Sequence, residues 1–125
     1  MYSIAITRDF VASHFLIGGE WGEENQAHDH HYVAEARIVG KQLNQHGSLV
    51  ERNVVESALD KIIAEFRNEL LNNKDEFAGL NPSIERFSSI ICRKLFAAIS
   101  PSGHGTLRIK LWETPHCSAS FWQDF

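Results

Sequence analysis

The hydrophobic rhythm of the chain changes twice, and this change constrains the fold more than any other feature. From Tyr2 to His14 apolar and polar residues alternate, which is typical of a β-strand with one buried face. The segment that begins at His30 has the same period of two. Between residues 53 and 100 the period becomes helical, and from Gly105 to Glu113 it returns to two. The order of strands, helices and strands predicts an α+β fold rather than alternating α/β units.

Two amphipathic helices are predicted in the middle of the chain. Asn53 resembles an N-cap for the first helix, with Glu56 in its first turn. Asn81 and Pro82 predict the start of the second, with asparagine as the cap, and Pro101 follows its end. The apolar positions at helical spacing are Val55, Ala58, Leu59, Ile62, Ile63 and Phe66 in the first helix, and Ile84, Phe87, Ile91, Leu95 and Ala98 in the second. Each helix therefore has one stripe that can pack on a sheet.

The remaining segments are predicted as connections and one short tail. "VGKQLNQHGSLVE" resembles a turn into a returning segment, "NELLNNKDEFAGLNPS" resembles a loop, and the tail "CSASFW" could pair back on the preceding strand. A short antiparallel sheet that carries two helices on one face has two unprotected edges. We therefore expect subunits to associate through those edges.

Composition limits the class of partner and the compartment. We expect the 125 residues to form one domain, residues 1–125, because 43% of them are hydrophobic and the length supports one core. The net charge is −4 and the basic residues are scattered, so nucleic acid is not an expected partner. Neither a membrane span nor a secretory leader is expected. Cys92 and Cys117 are too few for a disulfide framework, so we expect a cytoplasmic protein with free thiols.

Three of the seven histidines lie in the motif "HDHH", where the second strand begins. His28 and His30 are two apart, so in an extended segment both rings point to the same side. His14 ends the first strand on the parity of Phe10 and Ala12, and an adjacent antiparallel strand would bring it beside the pair. Three neutral imidazoles suit a zinc ion and leave a fourth position open for water or substrate. The alternative is a solvated loop motif without a ligand.

The other notable polar residues have less certain surroundings. His31 points to the opposite face, where it supports the site or lies on the surface, and His46, His104 and His116 are predicted in turns.

Glu113 continues the apolar face of the third strand, and a buried carboxylate needs hydrogen-bond donors. It could accept two N–H groups from the amidine-like edge of a flat heterocycle. The alternative is that Glu113 ends the strand and reaches solvent.

Four motifs, "FVASHF", "HDHHY", "EFAGLNPSIE" and "LWETP", together resemble the 6-pyruvoyl-tetrahydropterin synthase family, which includes the 6-carboxytetrahydropterin synthases of queuosine biosynthesis. The likeness runs from Phe10 to the tail. It implies a tunnelling fold (T-fold), in which a four-stranded antiparallel sheet carries two helices on one face. It also implies a homo-oligomer, either a trimer that closes a barrel or a hexamer of two stacked trimers.

The same resemblance implies roles for individual residues. The residues that match the family's zinc ligands are His14, His28 and His30, with HDH here where the family usually has HGH. Glu113, in the motif "ETP", matches the carboxylate that anchors the pterin ring. Ser83 and Glu85, in "NPSIE", would lie near the pterin and across a subunit boundary.

The chain departs from the family pattern at the proton-transfer residues. The family's catalytic cysteine stands four to six residues before HGH, where this chain has Glu24 and Gly22. The family's Asp-His pair falls near Arg67 and Asn68 when the next loop is aligned without gaps. Some relatives have glutamate in place of the cysteine and cleave the side chain of dihydroneopterin triphosphate to a hydroxymethyl pterin. Glu24 is therefore a candidate base, and the alternative is a solvated loop acid.

The sequence thus predicts a zinc-dependent pterin lyase that acts on dihydroneopterin triphosphate or a related pterin. A zinc ion would lower the pKa of a substrate hydroxyl, and a carboxylate within reach could take its proton. A histidine elsewhere, such as His104 or His116, could also have moved into the vacated role. Two other classes stay open: a non-catalytic protein that binds zinc and a pterin, and a structural oligomer whose histidines have no chemical role.

Overall fold

The computed structural model describes residues 1–125 and contains one antiparallel sheet and two α-helices. The strands are β1 (Tyr2–His14), β2 (His28–Gly40), β3 (Gly105–Thr114) and β4 (Cys117–Asp124), and they lie in the order β1-β2-β3-β4. The helices are α1 (Arg52–Phe66) and α2 (Ile84–Ile99), and short 3-10 turns occupy Gly22–Asn25, Leu71–Asn73 and Asp75–Phe77. This is the predicted α+β architecture, including the pairing of the tail with β3. Neither helix combines the length and the apolar character needed to cross a membrane.

One face of the sheet is buried beneath the two helices. The alternation predicted for the strands is confirmed, because Phe10, Tyr32 and Ile109 are buried while their neighbours along each strand are less so. Phe87 of α2 is fully buried and contacts four other aromatic rings. These rings belong to Phe10, Tyr32, Phe66 and Phe77. The aromatic cluster therefore ties α2 to β1, β2 and α1.

The start of α1 differs from the sequence prediction. The helix begins at Arg52 with Glu51 at the N-cap position, and no side chain caps it. Asn53 therefore lies inside the first turn, and its assignment as the cap was wrong. The predicted returning segment after β2 was also wrong, since residues 41–51 form no strand and lead directly into α1.

The start of α2 also differs. Ser83 is the N-cap, and its Oγ accepts a hydrogen bond from the Arg86 N–H at 3.2 Å. Asn81, the predicted cap, instead bonds the backbone of Ile17 in both directions, at 2.7 and 3.1 Å. The Asn81 side chain, which the local pattern assigned to the helix cap, is therefore used in a tertiary contact with Ile17. At the other end of α2, Ala98 is exposed and lies outside the buried stripe.

The free edges of the sheet are only partly covered within one chain. Near the end of β1, the Asn68 N–H donates to the Val11 carbonyl at 2.7 Å, and the Ser13 N–H donates to the Glu69 carbonyl at 3.0 Å. Ser13 also bridges to Leu70 in the parallel sense. The first part of β1 and the outer side of β4 have no strand neighbour in the chain. Association between subunits through these edges stays a prediction.

Candidate metal centre

Strand pairing brings the three histidines together at one end of the sheet. In the register of β1 and β2, His14 lies opposite His28 and Ala12 lies opposite His30. All three rings lie on the side of the sheet that the helices cover. The ring centroids are 4.7 Å apart for His14 and His28, 4.9 Å for His14 and His30, and 4.8 Å for His28 and His30. The parity argument from the sequence correctly predicted this convergence.

The spacing of the ring nitrogens fits a single metal ion. Nε2 of His14 and Nε2 of His28 are 3.1 Å apart. Two bonds of about 2.0–2.1 Å to one tetrahedral zinc ion place the two nitrogens roughly 3.3 Å apart. The potential ligand atoms of His14, His28, His30 and Glu113 all lie within 4.8 Å of one another. This cluster could therefore hold a divalent cation.

Backbone carbonyls fix two of the rings in the orientation that a metal requires. Nδ1 of His28 lies 2.7 Å from the Gln26 carbonyl, and Nδ1 of His14 lies 3.1 Å from the Pro82 carbonyl. A carbonyl oxygen only accepts, so in the neutral rings Nδ1 carries the proton and the Nε2 lone pair is free for a ligand. Such carbonyl partners are typical supports of metal-bound histidines. Sequence reasoning missed Gln26 and Pro82 because they contribute only backbone atoms, which no residue type reveals.

His30 and Glu113 leave an unsatisfied position at the centre of the cluster. Nε2 of His30 is buried and has no hydrogen-bond partner of acceptable geometry. Oε1 of Glu113 lies 2.7 Å from this nitrogen and 3.5 Å from Nε2 of His14. A buried nitrogen without a partner costs free energy, and coordination to a cation would remove that cost.

A β-bulge brings Glu113 over the histidines. Trp112 pairs with Ser118 and Thr114 pairs with Cys117, so Glu113 is the extra residue on β3. Bulges redirect side chains and occur often beside functional sites. The side chain of Glu113 is 20% exposed, so the alternative of a strand-end residue in bulk solvent does not hold. Its predicted role in anchoring a pterin ring stays a prediction.

The electrostatics of the cluster favour a cation. Contact with His14 lowers the pKa of the Glu113 carboxyl below its ordinary value, although burial opposes the shift. Burial alone would lower the pKa of His14, but Glu113 and the Pro82 carbonyl outweigh it and raise that pKa. Burial lowers the pKa of His30, and the neighbouring imidazoles add to the effect. Burial raises the pKa of Tyr32 far above its ordinary value, so its hydroxyl stays neutral beneath the rings. The lowered pKa of Glu113 and the raised pKa of His14 share one cause, the attraction between the carboxylate and positive charge at this centre.

Glu24, the predicted base, lies at the rim of the cluster. Its Oε2 is 3.2 Å from Nε2 of His28, and its side chain is about half exposed. The loop that carries Glu24 is anchored, because the Leu16 N–H donates to the Glu24 carbonyl at 2.7 Å. The Asn25 amide donates to the carbonyls of Leu16 and Gly19. The carboxylate is therefore positioned beside the histidines and is open to solvent.

Ser83 and Glu85, the other predicted pterin residues, lie in and beside the first turn of α2. The Ser83 hydroxyl is engaged as the helix cap, and Glu85 is exposed. The adjacent Pro82 carbonyl is the atom that bonds His14, so the start of α2 adjoins the cluster. The role of both residues in binding a pterin stays a prediction.

The remaining histidines are placed away from the cluster or on the surface. Nε2 of His31 lies 2.6 Å from Oδ2 of Asp9, and both side chains are exposed. His104 precedes Gly105, which pairs with Gly40 at the far end of β2. At about 3.3 Å per residue, this end is roughly 40 Å from His28, so His104 cannot act in the same protomer's cluster. His116 lies in the exposed turn between β3 and β4.

Comparison with known proteins identifies the family. A family model described as 6-pyruvoyl tetrahydropterin synthase matches residues 3–124. The chain belongs to the 6-pyruvoyl tetrahydropterin synthase family. This confirms the resemblance carried by the four sequence motifs. No curated protein sequence matches the chain significantly.

Solved structures agree with this assignment of the fold. The Caenorhabditis elegans 6-pyruvoyl tetrahydropterin synthase matches with a TM-score of 0.83 and 16% identity, over 96% of this chain and 94% of that chain. A Plasmodium vivax 6-pyruvoyltetrahydropterin synthase in which a catalytic glutamate is replaced by alanine has a TM-score of 0.78 and 12% identity, over 99% of this chain and 98% of that chain. A form of that enzyme with cysteine instead has a TM-score of 0.77 and 13% identity, over the same shares. The fold is the predicted T-fold.

Proposed function

We propose that this member of the 6-pyruvoyl tetrahydropterin synthase family is a zinc-dependent lyase that acts on dihydroneopterin triphosphate or a related pterin. The observation that carries the proposal is the convergence of three imidazole rings at the end of the sheet, two of them oriented by backbone carbonyls. Family membership over residues 3–124 supports the pterin class of substrate.

Zinc is proposed because the donor set suits it. His14, His28 and His30 offer three neutral imidazoles, a set typical of zinc sites that keep a position for a substrate or water. A bound zinc ion would supply a Lewis acid that lowers the pKa of a substrate hydroxyl and stabilises negative charge on its oxygen.

Glu24 is the proposed general base. Its carboxylate lies beside His28, on the rim where a substrate side chain would enter. Because Glu24 is partly exposed, a proton that it accepts can pass on to solvent. The Plasmodium vivax enzyme has a glutamate described as catalytic, which supports a carboxylate in this role. The step is a retro-aldol cleavage: Glu24 takes the hydroxyl proton, the oxygen becomes a carbonyl, and the carbon–carbon bond of the side chain breaks. The electron pair of that bond passes to the C=N group of the dihydropterin ring, and the carbon left on the ring regains a proton from Glu24 or water.

Glu113 is proposed to orient the pterin ring, with Ser83 and Glu85 adding contacts at a subunit boundary beside the cluster. A carboxylate pairs well with the amidine-like edge of a pterin, because two parallel hydrogen bonds fix the plane of the ring. The uncovered edges of β1 and β4 are the surfaces through which a homotrimer would close, and a hexamer would stack two such rings.

A non-catalytic homologue that binds zinc and a pterin is the second candidate. It is favoured by the residues near the expected position of the family's Asp-His pair, which are Arg67 and Asn68 in this chain. Asn68 adopts a left-handed backbone with φ of 61°, and its N–H donates to the Val11 carbonyl at the edge of β1. Arginine and asparagine supply neither the carboxylate nor the imidazole of the pair that the family uses for proton transfer.

Turnover of dihydroneopterin triphosphate distinguishes the two candidates. Zinc-loaded protein is incubated with this compound, and pterin products are followed by chromatography, with Glu24→Gln as the matched variant. We expect a pterin with a shortened side chain from the native protein, and substrate binding without turnover from the variant. Tight binding without any product from the native protein would replace the lyase by the non-catalytic homologue. Unchanged turnover in Glu24→Gln would remove Glu24 from the base role.

A further inference from the structure

We propose that Glu113 is a fourth, displaceable ligand of the metal ion in the substrate-free protein, and that an arriving pterin ring removes it from the metal. The inference rests on the proposed metal site. It adds a metal-binding role to a residue that the family resemblance assigns only to the pterin, and it couples the two.

The first argument is the position of the carboxylate. Oε1 of Glu113 faces the inward nitrogens of two rings, at 2.7 Å from His30 and 3.5 Å from His14. The geometry toward His30 does not form a hydrogen bond, so a proton shared with that ring does not account for the approach. An oxygen and three nitrogens that all lie within 4.8 Å of one another offer four donors that could hold one ion. Zinc commonly takes four donors in a tetrahedron, and carboxylates are among its usual ligands.

The second argument is the contrast with Glu24. Both carboxylates lie near the histidines, but Glu24 contacts only His28 and is about half exposed. Glu113 is 20% exposed and contacts two rings. The four donors that could hold one ion include Glu113 and not Glu24. The two residues therefore differ in their expected effect on metal affinity, and Glu24 supplies a matched control for Glu113.

The third argument concerns displacement. A carboxylate that binds the amidine-like edge of a heterocycle uses both oxygens, one for each N–H group. With both oxygens turned toward a ring, Oε1 of Glu113 would leave its present place beside the nitrogens of His14 and His30. Glu113 is the extra residue of a bulge one position before β3 ends, so its backbone is not held in the regular pairing with β4. The coordination position for the substrate side chain would thus open only when the ring is engaged.

Zinc affinity measured by competition with a chromophoric chelator tests the ligand role. We expect Glu113→Gln to bind zinc at least about tenfold more weakly than the native protein, the loss seen when groups that support a metal are removed. Glu24→Gln should stay within about threefold of native, because its carboxylate is not among the four donors. Circular dichroism checks that both variants keep the fold. Native-like affinity in folded Glu113→Gln would overturn the proposal.

Cobalt substitution tests the displacement. The visible bands of bound Co2+ depend on the number and type of its ligands. Neopterin is added as the probe, and its fluorescence reports binding. We expect saturation with neopterin to change the bands of the native protein, and Glu113→Gln to show altered bands before any pterin is added. Bands that stay unchanged in the native protein at saturation would overturn the displacement.

These outcomes are separable from the proposed lyase activity. If Glu113→Gln loses zinc affinity and the native protein shows no turnover, the ligand role is supported and the lyase activity is rejected. If Glu113→Gln binds zinc as tightly as the native protein and the native protein turns over the substrate, the ligand role is rejected and the lyase activity is supported. Failure of neopterin to bind at all would overturn displacement by a pterin and count against the proposed substrate class.

Discussion

Replacement of Phe87 by alanine tests whether the aromatic cluster holds the helices on the sheet. Phe87 is fully buried, and its ring centroid lies 5.9 Å from that of Phe10, 5.4 Å from Tyr32, 5.1 Å from Phe66 and 5.5 Å from Phe77. Transfer of such a side chain from water contributes about 2–3 kcal/mol. The cavity left among four rings adds to this loss, so Phe87→Ala should lower the free energy of unfolding by about 3–5 kcal/mol.

The assay is urea denaturation followed by circular dichroism at fixed protomer concentration, because subunit association would make stability depend on concentration. The matched control is Phe96→Ala, since Phe96 is only partly buried and its one aromatic contact is Phe125, at 6.2 Å. Its loss should cost about 1–2 kcal/mol. Equal losses in the two variants would refute the argument that Phe87 is the centre of the core.

Two further predictions concern an ion pair and a backbone clamp. Burial raises the pKa of Glu76, but its contact with Lys94 Nζ at 3.0 Å outweighs burial and lowers that pKa below its ordinary value. Because the pKa of Glu76 is lower in the folded than in the unfolded protein, its ionised carboxylate stabilises the fold at pH values above the unfolded pKa. This contribution is lost as pH falls through the folded pKa. Glu76→Gln should therefore cost about 0.5–1 kcal/mol at pH 7, and this cost should shrink as pH falls through the lowered pKa of folded Glu76. Urea denaturation across this acidic range checks the prediction, and a cost that does not change with pH would contradict it. Asn81→Ala removes both hydrogen bonds to Ile17, so it should cost about 1–3 kcal/mol and speed amide exchange at Ile17, measured by NMR, whereas unchanged exchange would argue against the clamp.

The strands, the helices and the histidine cluster could be predicted from the sequence because each depends on periodicity. In an extended chain, parity alone decides which face a side chain occupies, so His14, His28 and His30 could be placed on the buried face. Antiparallel neighbours at one end of a sheet then bring them together. The observed pairing of His14 with His28 is the register that this reasoning requires.

The position of Glu113 could not be predicted in the same way. Its parity placed it on the apolar face, but its reach over the rings depends on a bulge between β3 and β4. A bulge is a feature of pairing between two strands, and neither strand alone encodes it. The carbonyls of Gln26 and Pro82 were missed because every residue has a carbonyl.

The helix starts show where local patterns compete with tertiary contacts. Asn81 and Ser83 are both good N-cap residues, and the local sequence cannot choose between them. The contact with Ile17 decides between them, because the Asn81 side chain hydrogen-bonds the Ile17 backbone and Ser83 caps α2.

Glu24 lies beside His28 in the structure, and its part in catalysis stays a prediction.

Metal analysis of the untagged protein tests the central claim most directly. Protein purified without chelators or a histidine tag is measured by elemental mass spectrometry, beside the matched variants His28→Ala and His31→Ala. Because His28 faces the cluster and His31 faces the opposite side of the sheet, we expect close to one zinc per protomer in the native protein and in His31→Ala, and almost none in His28→Ala. Native protein without a bound metal, or equal metal in both variants, would contradict the account.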